Sequence, residues 1–219
     1  MPKPKKNNIS RILILSLFFV ALIAASFAFG YKTGYDKGAD SASRNRNILL
    51  VNEDNLLPPD YVPEDLVNLY EMRHAFRLAN AEIYMTRVAY EPMQEMFLAA
   101  EHDNVNGFII TSGYRSYERQ QEIYAESKPG YAQKPGASEH QTGLCFDVTA
   151  MNSGDGFENT EQYAWLRQNA YKYGFIQRYP ANKSHITGIS HEPWHYRYVG
   201  VAAAEYIHKN NITLEEYLK

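Results

Sequence analysis

Two short stretches of the sequence combine residue types that bind metals and transfer protons. Residues 138–147 have the sequence SEHQTGLCFD, in which His140 precedes Asp147 by seven positions. Further along the chain, EPWH places Glu192 three positions before His195. A catalytic zinc site takes three protein ligands of the His, Asp, Glu or Cys kind and keeps one position open for water. His140, Asp147 and His195 would supply that number of ligands.

Glu192 has the chemistry of a general base beside such a metal. A divalent ion lowers the pKa of its bound water towards ~7, and a nearby carboxylate that is not a ligand can accept the proton. The three-residue offset from Glu192 to His195 fits neither the helical His-Glu-x-x-His motif nor one face of a strand. Pro193 lies between them, so we expect a tight turn that brings both side chains to one side.

Spacing alone leaves other interpretations open. The chain has seven histidines, and any one of them is most often a surface residue or a satisfied core residue. His191 adjoins Glu192 and could donate a hydrogen bond to a ligand instead of binding the metal. Cys145 could bind a metal, although a small buried hydrophobic residue is its commoner role. From these residues alone, a metal site and ordinary packing both remain possible.

The elements that carry these residues must bend between His140 and Asp147. On one straight strand, residues seven apart face opposite sides of the sheet. Gly143 adopts a positive φ without steric cost, so we place the bend there. Asp147 then lies on a strand, CFDVT, with Cys145 and Thr149 on its own face.

The remaining segments predict an α+β fold, in which a small antiparallel sheet is flanked by helices. Helices are predicted over residues about 73–102, SYERQQEIYAE opened by Ser116, NTEQYAWLRQNAYKYG between an Asn159 or Thr160 cap and Gly174, and VAAAEYIHKNN. Strands are predicted over GFIITSGYR (107–115), FIQRY and the end of HEPWHYRYVG, which begins as the proline-containing turn.

An uncharged apolar segment covers residues 12–30. At 1.5 Å per residue, a helix of this length spans roughly the ~30 Å hydrocarbon core of a bilayer. Four basic side chains lie within residues 1–11, so the positive-inside rule predicts that this end is cytoplasmic. We expect a single-pass transmembrane helix, followed by a flexible linker over 31–47 and one extracytoplasmic domain over 48–219. A cleaved signal peptide is the alternative, and fractionation of the mature chain distinguishes the two.

Charge and cysteine content argue against a nucleic-acid-binding protein and against a disulfide-stabilised fold. The formal net charge is −3, and no concentrated basic block follows the first eleven residues, which argues against nucleic acid as a partner. The single cysteine excludes an internal disulfide. The compartment is therefore inferred from the N-terminus alone.

Three motifs in order resemble the VanY-type D-alanyl-D-alanine carboxypeptidases, zinc peptidases related to lysostaphin-like enzymes and the hedgehog domain. SGYRSYERQ matches Ser-Gly-Tyr-Arg-Ser, SEHQTGLCFD matches Ser-x-His-x-x-Gly-x-x-x-Asp, and EPWHYRYVG matches Glu-x-x-His. The resemblance covers roughly residues 48–210. It departs at Cys145, where the family more often has Ala, and this places an oxidisable thiol two residues from Asp147.

The resemblance implies one Zn²⁺ per domain, held by His140, Asp147 and His195, with Glu192 as the general base. Mixed His and Asp ligation suits zinc, although cobalt or manganese could occupy such a site.

The resemblance also implies roles for three residues around the metal. Arg115 would stabilise the scissile carbonyl oxygen as it becomes negative, which is the effect of a fixed cation near developing charge. Ser138 and Gln120 match positions that resemble substrate-contacting ones, where they would hydrogen-bond the terminal carboxylate of the peptide.

The function that this resemblance implies is a zinc D,D-carboxypeptidase that removes the C-terminal D-alanine from peptidoglycan stem peptides. The apolar segment over residues 12–30 adds the expectation that the enzyme is membrane-anchored. An L,D-carboxypeptidase or a peptidoglycan endopeptidase on the same fold is the nearer alternative. A binding module that keeps the zinc site without catalysis is the farther one, and the presence of both Glu192 and Arg115 argues against it.

Overall fold

The computed structural model of the chain describes residues 48–128, 132–151, 153–154 and 156–219. One compact unit spans Asn47–Lys219. The predicted cytoplasmic segment, the transmembrane helix over 12–30 and the linker over 31–47 lie outside the described residues, so the anchor stays a prediction. Within the described ranges, we find no helix that combines the length and the apolar character needed to cross a bilayer.

Strands and helices alternate along the described part of the chain. The strands are β1 (Leu66–Asn68), β2 (Arg77–Leu78), β3 (Tyr84–Thr86), β4 (Phe108–Ser112), β5 (Cys145–Ala150), β6 (Phe175–Tyr179) and β7 (Glu192–Tyr198). The helices are α1 (Arg87–His102), α2 (Tyr117–Glu126), α3 (Glu161–Asn169), α4 (Ser184–Thr187), α5 (Val201–Asn210) and α6 (Leu214–Tyr217). This mixture of a sheet with flanking helices confirms the predicted α+β class.

The main sheet has five strands in the order β2-β4-β5-β7-β6, and β1 and β3 form a separate pair. The β4–β5, β5–β7 and β7–β6 pairings are antiparallel, as predicted. The prediction of a purely antiparallel sheet is wrong at one edge, where β2 pairs with β4 in parallel. A parallel pair needs a long crossover, usually containing a helix, and α1 lies between these two strands in the chain.

Helix α1 packs against one face of the sheet and forms the core with it. Its buried side chains include Met93, Met96 and Phe97, which recur at helical spacing. The Phe97 ring lies 4.8 Å from that of Phe108 on β4 and 5.9 Å from that of Phe146 on β5, measured between centroids. Because side chains alternate along β5, the residues on either side of Phe146 face away from this core.

The predicted helix over residues about 73–102 is wrong in its first half. Residues 73–86 contain β2 and β3, and the helix begins only at Arg87. Backbone hydrogen bonds from distant segments hold β3, including Thr86 N–H to the Gly143 carbonyl at 2.9 Å. Alanines in this stretch give a local helical preference, which these long-range pairings override.

The other predicted helices are confirmed, together with their capping residues. The Ser116 side chain accepts the Arg119 N–H at the start of α2. Thr160, and not Asn159, caps α3 by accepting the Tyr163 N–H. A 3₁₀ turn extends α3 to Gly174, which has the left-handed conformation expected of a helix stop.

Gly143 makes the predicted bend. It ends a 3₁₀ turn over Glu139–Thr142 with φ 65° and ψ 10°, in the left-handed region. A Cβ atom added there would lie 3.0 Å from Thr86 Cγ2 and 3.1 Å from Leu66 Cδ2. Glycine therefore satisfies both a backbone conformation and a close contact at this position.

We predict that Gly143→Ala destabilises the protein more than Gly188→Ala does. Gly188 has nearly the same conformation, φ 74° and ψ −5°, but an added Cβ there meets no atom within 4 Å. The left-handed conformation should cost each variant about 1–2 kcal/mol, and crowding should add about 1–3 kcal/mol at Gly143 only. Urea unfolding measures both losses. Equal losses would show that the contacts of Gly143 relax freely.

Candidate metal centre and active site

Strands β5 and β7 bring the predicted metal-binding residues together. Asp147 and His195 are directly paired across these antiparallel strands, so their side chains leave the same face of the sheet. His195 Nδ1 lies 3.0 Å from Asp147 Oδ1, and His140 Nε2 lies 3.3 Å from Asp147 Oδ2. The two imidazole rings are nearly perpendicular, with centroids 5.0 Å apart. All three predicted ligands therefore form one cluster.

The distances from the Asp147 carboxylate to the two histidines, 3.0 and 3.3 Å, are compatible with donors that share one zinc ion. Zn–N and Zn–O distances of about 2.0–2.2 Å place neighbouring ligand atoms roughly 3.3 Å apart. The second ring nitrogen of each histidine has its own partner: His140 Nδ1 lies 2.7 Å from the Gly113 carbonyl oxygen, and His195 Nε2 lies 3.4 Å from Glu139 Oε2. Such partners fix the tautomer and ring orientation of metal-binding histidines.

Cys145 offers an alternative third donor. Ligand atoms of His140, Cys145 and His195 lie within 4.8 Å of one another, and Cys145 is on the same face of β5 as Asp147. Cys145 is fully buried, whereas the Asp147 side chain is 17% exposed. A catalytic site needs a position open to water and substrate. The shorter contacts and the exposure of Asp147 both favour the set with the carboxylate.

The cluster concentrates charge inside the protein. Burial disfavours ionisation of Asp147, but the charge of His140 and hydrogen bonds from both histidines outweigh it and hold the Asp147 pKa well below its usual range. Burial also disfavours a charged His140, yet the negative charges of Cys145 and Asp147 raise its pKa to about 9. A divalent ion competes with protons for these imidazole nitrogens, so the same negative field favours a bound cation.

Glu192 lies beside the cluster at the start of β7. Its Oε2 atom is 3.8 Å from His195 Nδ1, and its side chain is 28% exposed. Burial raises the pKa of this carboxyl group, and the negative charge of Asp147 raises it further, while the charge of His195 opposes them. The carboxylate is therefore close to the cluster but more open to solvent than any of its members.

The predicted turn at Pro193 is wrong, because Pro193 lies within strand β7. Gln177 and Tyr179 on β6 pair with Tyr196 and Glu192 on β7, so two steps on one strand match four on the other. The strand therefore bulges between its paired residues, and a bulge re-aims side chains. Proline is tolerated in a strand at such a site. The bulge brings Glu192 to the side of His195 despite their odd spacing.

Arg115 is fixed at the edge of the cluster by three contacts. Its backbone N–H donates to the His140 carbonyl oxygen at 3.1 Å. Its guanidinium donates to Ser112 Oγ at 3.1 Å and to Gln120 Oε1 at 2.8 Å. Ser112 Oγ in turn lies 3.4 Å from His140 Nδ1. A cation is thus held next to the predicted ligands, at the end of β4.

The other two predicted substrate residues are buried. Gln120 is 2% exposed, and besides holding Arg115 it donates from Nε2 to the Gln133 carbonyl oxygen at 2.6 Å. Ser138 is 5% exposed and directly precedes the turn that carries His140. Substrate contacts by Gln120 and Ser138 stay predictions. The hydrogen bonds of Gln120 favour a role in holding Arg115 and the loop around Gln133.

A buried charged network that the sequence did not predict lies behind His195. Glu139 Oε1 accepts from Arg178 Nε and from Arg197 Nη1, both at 2.8 Å. Arg178 also donates to both carboxylate oxygens of Glu215. The side chains of Glu139, Arg178 and Arg197 have no exposed surface. Charged residues are normally exposed, so nothing in the local sequence separates these from surface residues.

A groove of about 410 Å³ adjoins Asp147. Hydroxyl and apolar side chains line it, among them Thr111, Thr149, Ser153, Phe157 and Trp194. The Trp194 ring is 41% exposed, so an aromatic surface is available next to the cluster. The groove offers space for a substrate segment beside the predicted ligands.

Comparison with known proteins identifies the family. The family model described as VanY, D-alanyl-D-alanine carboxypeptidase, matches residues 82–201. The chain is 40% identical over 196 residues to YodJ of Bacillus subtilis (strain 168), which is named as a candidate carboxypeptidase; the match covers 83% of this chain and 71% of that protein. It is 39% identical over 175 residues to a D-alanyl-D-alanine carboxypeptidase of Enterococcus faecium, covering 78% of this chain and 57% of the relative.

Solved structures with the same fold include enzymes of two specificities. The LD-carboxypeptidase LdcB is 39% identical, with a TM-score of 0.70 over 79% of this chain and 86% of that one. A variant of the vancomycin resistance D,D-pentapeptidase VanY in complex with Zn(II) is 37% identical, with a TM-score of 0.66 over 80% and 99% of the two chains. VanYB in complex with D-alanine-D-alanine is also 37% identical, with a TM-score of 0.63 over 78% and 97%. The chain belongs to the VanY family of D-alanyl-D-alanine carboxypeptidases.

Proposed function

We propose that this protein is a zinc-dependent D,D-carboxypeptidase that removes the C-terminal D-alanine from peptidoglycan stem peptides. The observation that carries the proposal is the cluster of His140, Asp147 and His195, with contacts of 3.0 and 3.3 Å and the Glu192 carboxylate 3.8 Å from His195. Similarity to a Zn(II)-bound D,D-pentapeptidase and to a D-alanine-D-alanine complex supports the metal and the substrate class.

His140 Nε2, one Asp147 oxygen and His195 Nδ1 would hold the ion, because the other nitrogen of each imidazole already has a partner. Bound zinc would supply Lewis-acid chemistry, by lowering the pKa of water and polarising the scissile carbonyl. Cys145 would remain a buried neighbour of the site.

The proton transfers fall to Glu192. It accepts a proton from the attacking water and returns it to the leaving amine of the terminal residue. Burial raises the pKa of this carboxyl group, which brings it closer to the range in which it can both accept and release a proton. Its exposed fraction leaves it accessible to water.

Arg115 holds the carbonyl oxygen as that atom becomes negative. Gln120 and Ser112 fix the direction of its guanidinium, so the charge is in place before the reaction begins. The groove beside Asp147 would accept the part of the stem peptide that precedes the scissile bond, with the Trp194 ring along one side.

A second candidate is L,D-carboxypeptidase activity, in which D-alanine is removed from a tetrapeptide. The similarity to LdcB favours it, since that LD-carboxypeptidase matches this chain at 39% identity. The two activities differ in the configuration of the residue before the scissile bond. Among the lining residues of the described groove, Asp147 is the only charged one, and this composition does not select one configuration over the other.

We also propose that the enzyme works outside the cell, anchored by a single membrane helix over residues 12–30. The proposal rests on the apolar run and on the basic residues before it. Peptidoglycan lies outside the cytoplasmic membrane, so the proposed substrate and the proposed location agree.

We predict that Asp147→Asn weakens zinc binding about 100-fold or more, because an amide oxygen is a neutral and weaker ligand. Cys145→Ala, on the same face of the same strand, should leave zinc affinity nearly unchanged. Competition with a chromophoric chelator measures both. The reverse result would assign the third ligand to the thiol.

We predict that Glu192→Gln retains zinc but slows D-alanine release by about 10²–10⁴-fold, since the amide cannot accept a proton. Glu205→Gln changes an exposed carboxylate on α5 and serves as the matched control. Turnover of Glu192→Gln at the rate of this control would remove Glu192 from the mechanism.

We predict that a synthetic pentapeptide ending in D-Ala-D-Ala is cleaved at least about 10-fold faster than the tetrapeptide ending in one D-Ala, because the proposed D,D specificity requires a D-residue before the scissile bond. Mass spectrometry identifies the products. Faster loss of D-alanine from the tetrapeptide would favour the L,D activity, and internal fragments would favour an endopeptidase. Zinc-loaded protein that cleaves neither would contradict both carboxypeptidase assignments.

A further inference from the structure

We propose that Glu139 is a positioning residue for His195, and that two buried arginines aim its carboxylate at that imidazole. The inference rests on the metal site proposed above, and it adds a residue that would not touch either the metal or the substrate. It concerns how the chain presents one ring nitrogen, and not the other, to the cluster.

Each ring nitrogen of His195 faces a different carboxylate. Nδ1 lies 3.0 Å from Asp147 Oδ1 on the cluster side, and Nε2 lies 3.4 Å from Glu139 Oε2 on the buried side. A neutral imidazole carries its proton on one nitrogen and a lone pair on the other. Once a metal binds Nδ1 between the ring and Asp147, the proton of the neutral imidazole must lie on Nε2, where the Glu139 carboxylate can accept it and hold the ring in that orientation.

The arginines explain why Glu139 can only point this way. Its Oε1 atom accepts from both Arg178 Nε and Arg197 Nη1 at 2.8 Å. With one oxygen held by two guanidinium groups, the second oxygen must lie on the far side of the carboxylate, towards His195. Charge-assisted hydrogen bonds of this kind are short and directional, which makes the orientation rigid.

The positive and negative charges of the network cancel without His195. Charge compensation within the network therefore does not explain why Glu139 also contacts His195. Two arginines face two carboxylates, because Arg178 also binds both oxygens of Glu215 on α6. Arg197 Nη2 donates in addition to the Leu49 carbonyl oxygen at 2.8 Å. Segments near both ends of the domain therefore meet at the two arginines that hold Glu139.

The test compares two Glu→Gln variants of the full chain that share Arg178 as a partner. In Glu139→Gln the two arginines should keep the one remaining oxygen, so that an amide NH₂ group, which cannot accept, faces His195 Nε2. Glu215→Gln also weakens the network but leaves the partner of His195 unchanged. Both should lower the thermal midpoint of the metal-free protein. Only Glu139→Gln should weaken zinc binding, by about 10–100-fold, as is typical for loss of a partner of a metal-binding histidine.

A charge-balanced double variant keeps the test decisive if the single variant does not fold. Glu139→Gln with Arg197→Gln removes one charge of each sign and leaves the Arg178–Glu215 pair intact, which is far less damaging than an unpaired buried charge. We expect it to fold and still to bind zinc about 10–100-fold more weakly. A second measurement needs no variant: ¹⁵N NMR of zinc-loaded protein should find the His195 proton on Nε2.

The outcomes separate this inference from the proposed function. Zinc affinities of Glu139→Gln and the double variant that equal that of Glu215→Gln would overturn the positioning role, and so would a His195 proton on Nδ1. In either case wild-type zinc binding and D-alanine release would leave the proposed function standing. Wild-type protein that binds no zinc would overturn both.

Discussion

The register between β5 and β7 decides whether this molecule can hold a metal centre. Asp147 pairs with His195, and Phe146 pairs with Tyr196 in the neighbouring position. The rings of Phe146 and Tyr196 stack on the core face, with centroids 5.8 Å apart. A slip by one residue would turn these rings towards the cluster and the charged residues into the core. Apolar packing on one face therefore sets the alignment of the predicted ligands on the other.

Buried charged residues from the turn before β5, from β6 and from β7 meet behind His195, and pairing makes their burial tolerable. A lone buried charge is strongly unfavourable, whereas hydrogen-bonded pairs of opposite charge offset most of that cost. Glu139 is an example. Burial opposes its ionisation, but the positive charges of Arg197 and Arg178 outweigh this effect and hold the pKa of the Glu139 carboxyl group below its usual range. The network thus allows a carboxylate to sit behind His195 as an anion.

Residues whose side-chain type indicates their chemistry could be predicted from the sequence. Local structure that depends on pairing between distant strands could not. His140, Asp147, His195 and the Gly143 bend could be found because metal-binding side chains and a glycine at a bend are recognisable locally. The shape around Pro193 could not, since a strand bulge depends on the register with β6. The first half of the predicted helix over 73–102 failed for the same reason.

The buried network of Glu139, Arg178, Arg197 and Glu215 was even harder to predict from the sequence. Glu139 and Arg178 are 39 positions apart, and Arg178 and Glu215 are 37 apart. Arginine and glutamate occur mostly on surfaces, so a prediction made one segment at a time places each of these residues in solvent. Only the folded arrangement reveals that each is compensated. The parallel pairing of β2 with β4 is hidden in the same way, because a crossover separates the partners.

Three carboxylates surround the His195 ring, and their environments assign them different chemistry. Glu139, Asp147 and Glu192 lie 3.4, 3.0 and 3.8 Å from its nitrogens, and their side chains are 0%, 17% and 28% exposed. The two more buried groups have lowered pKa values because cations face them, whereas burial raises the pKa of Glu192. Groups of one chemical type acquire separate roles when their surroundings move their pKa values apart. The gradient from the interior to solvent therefore supports an orienting carboxylate, a ligand and a proton acceptor, in that order.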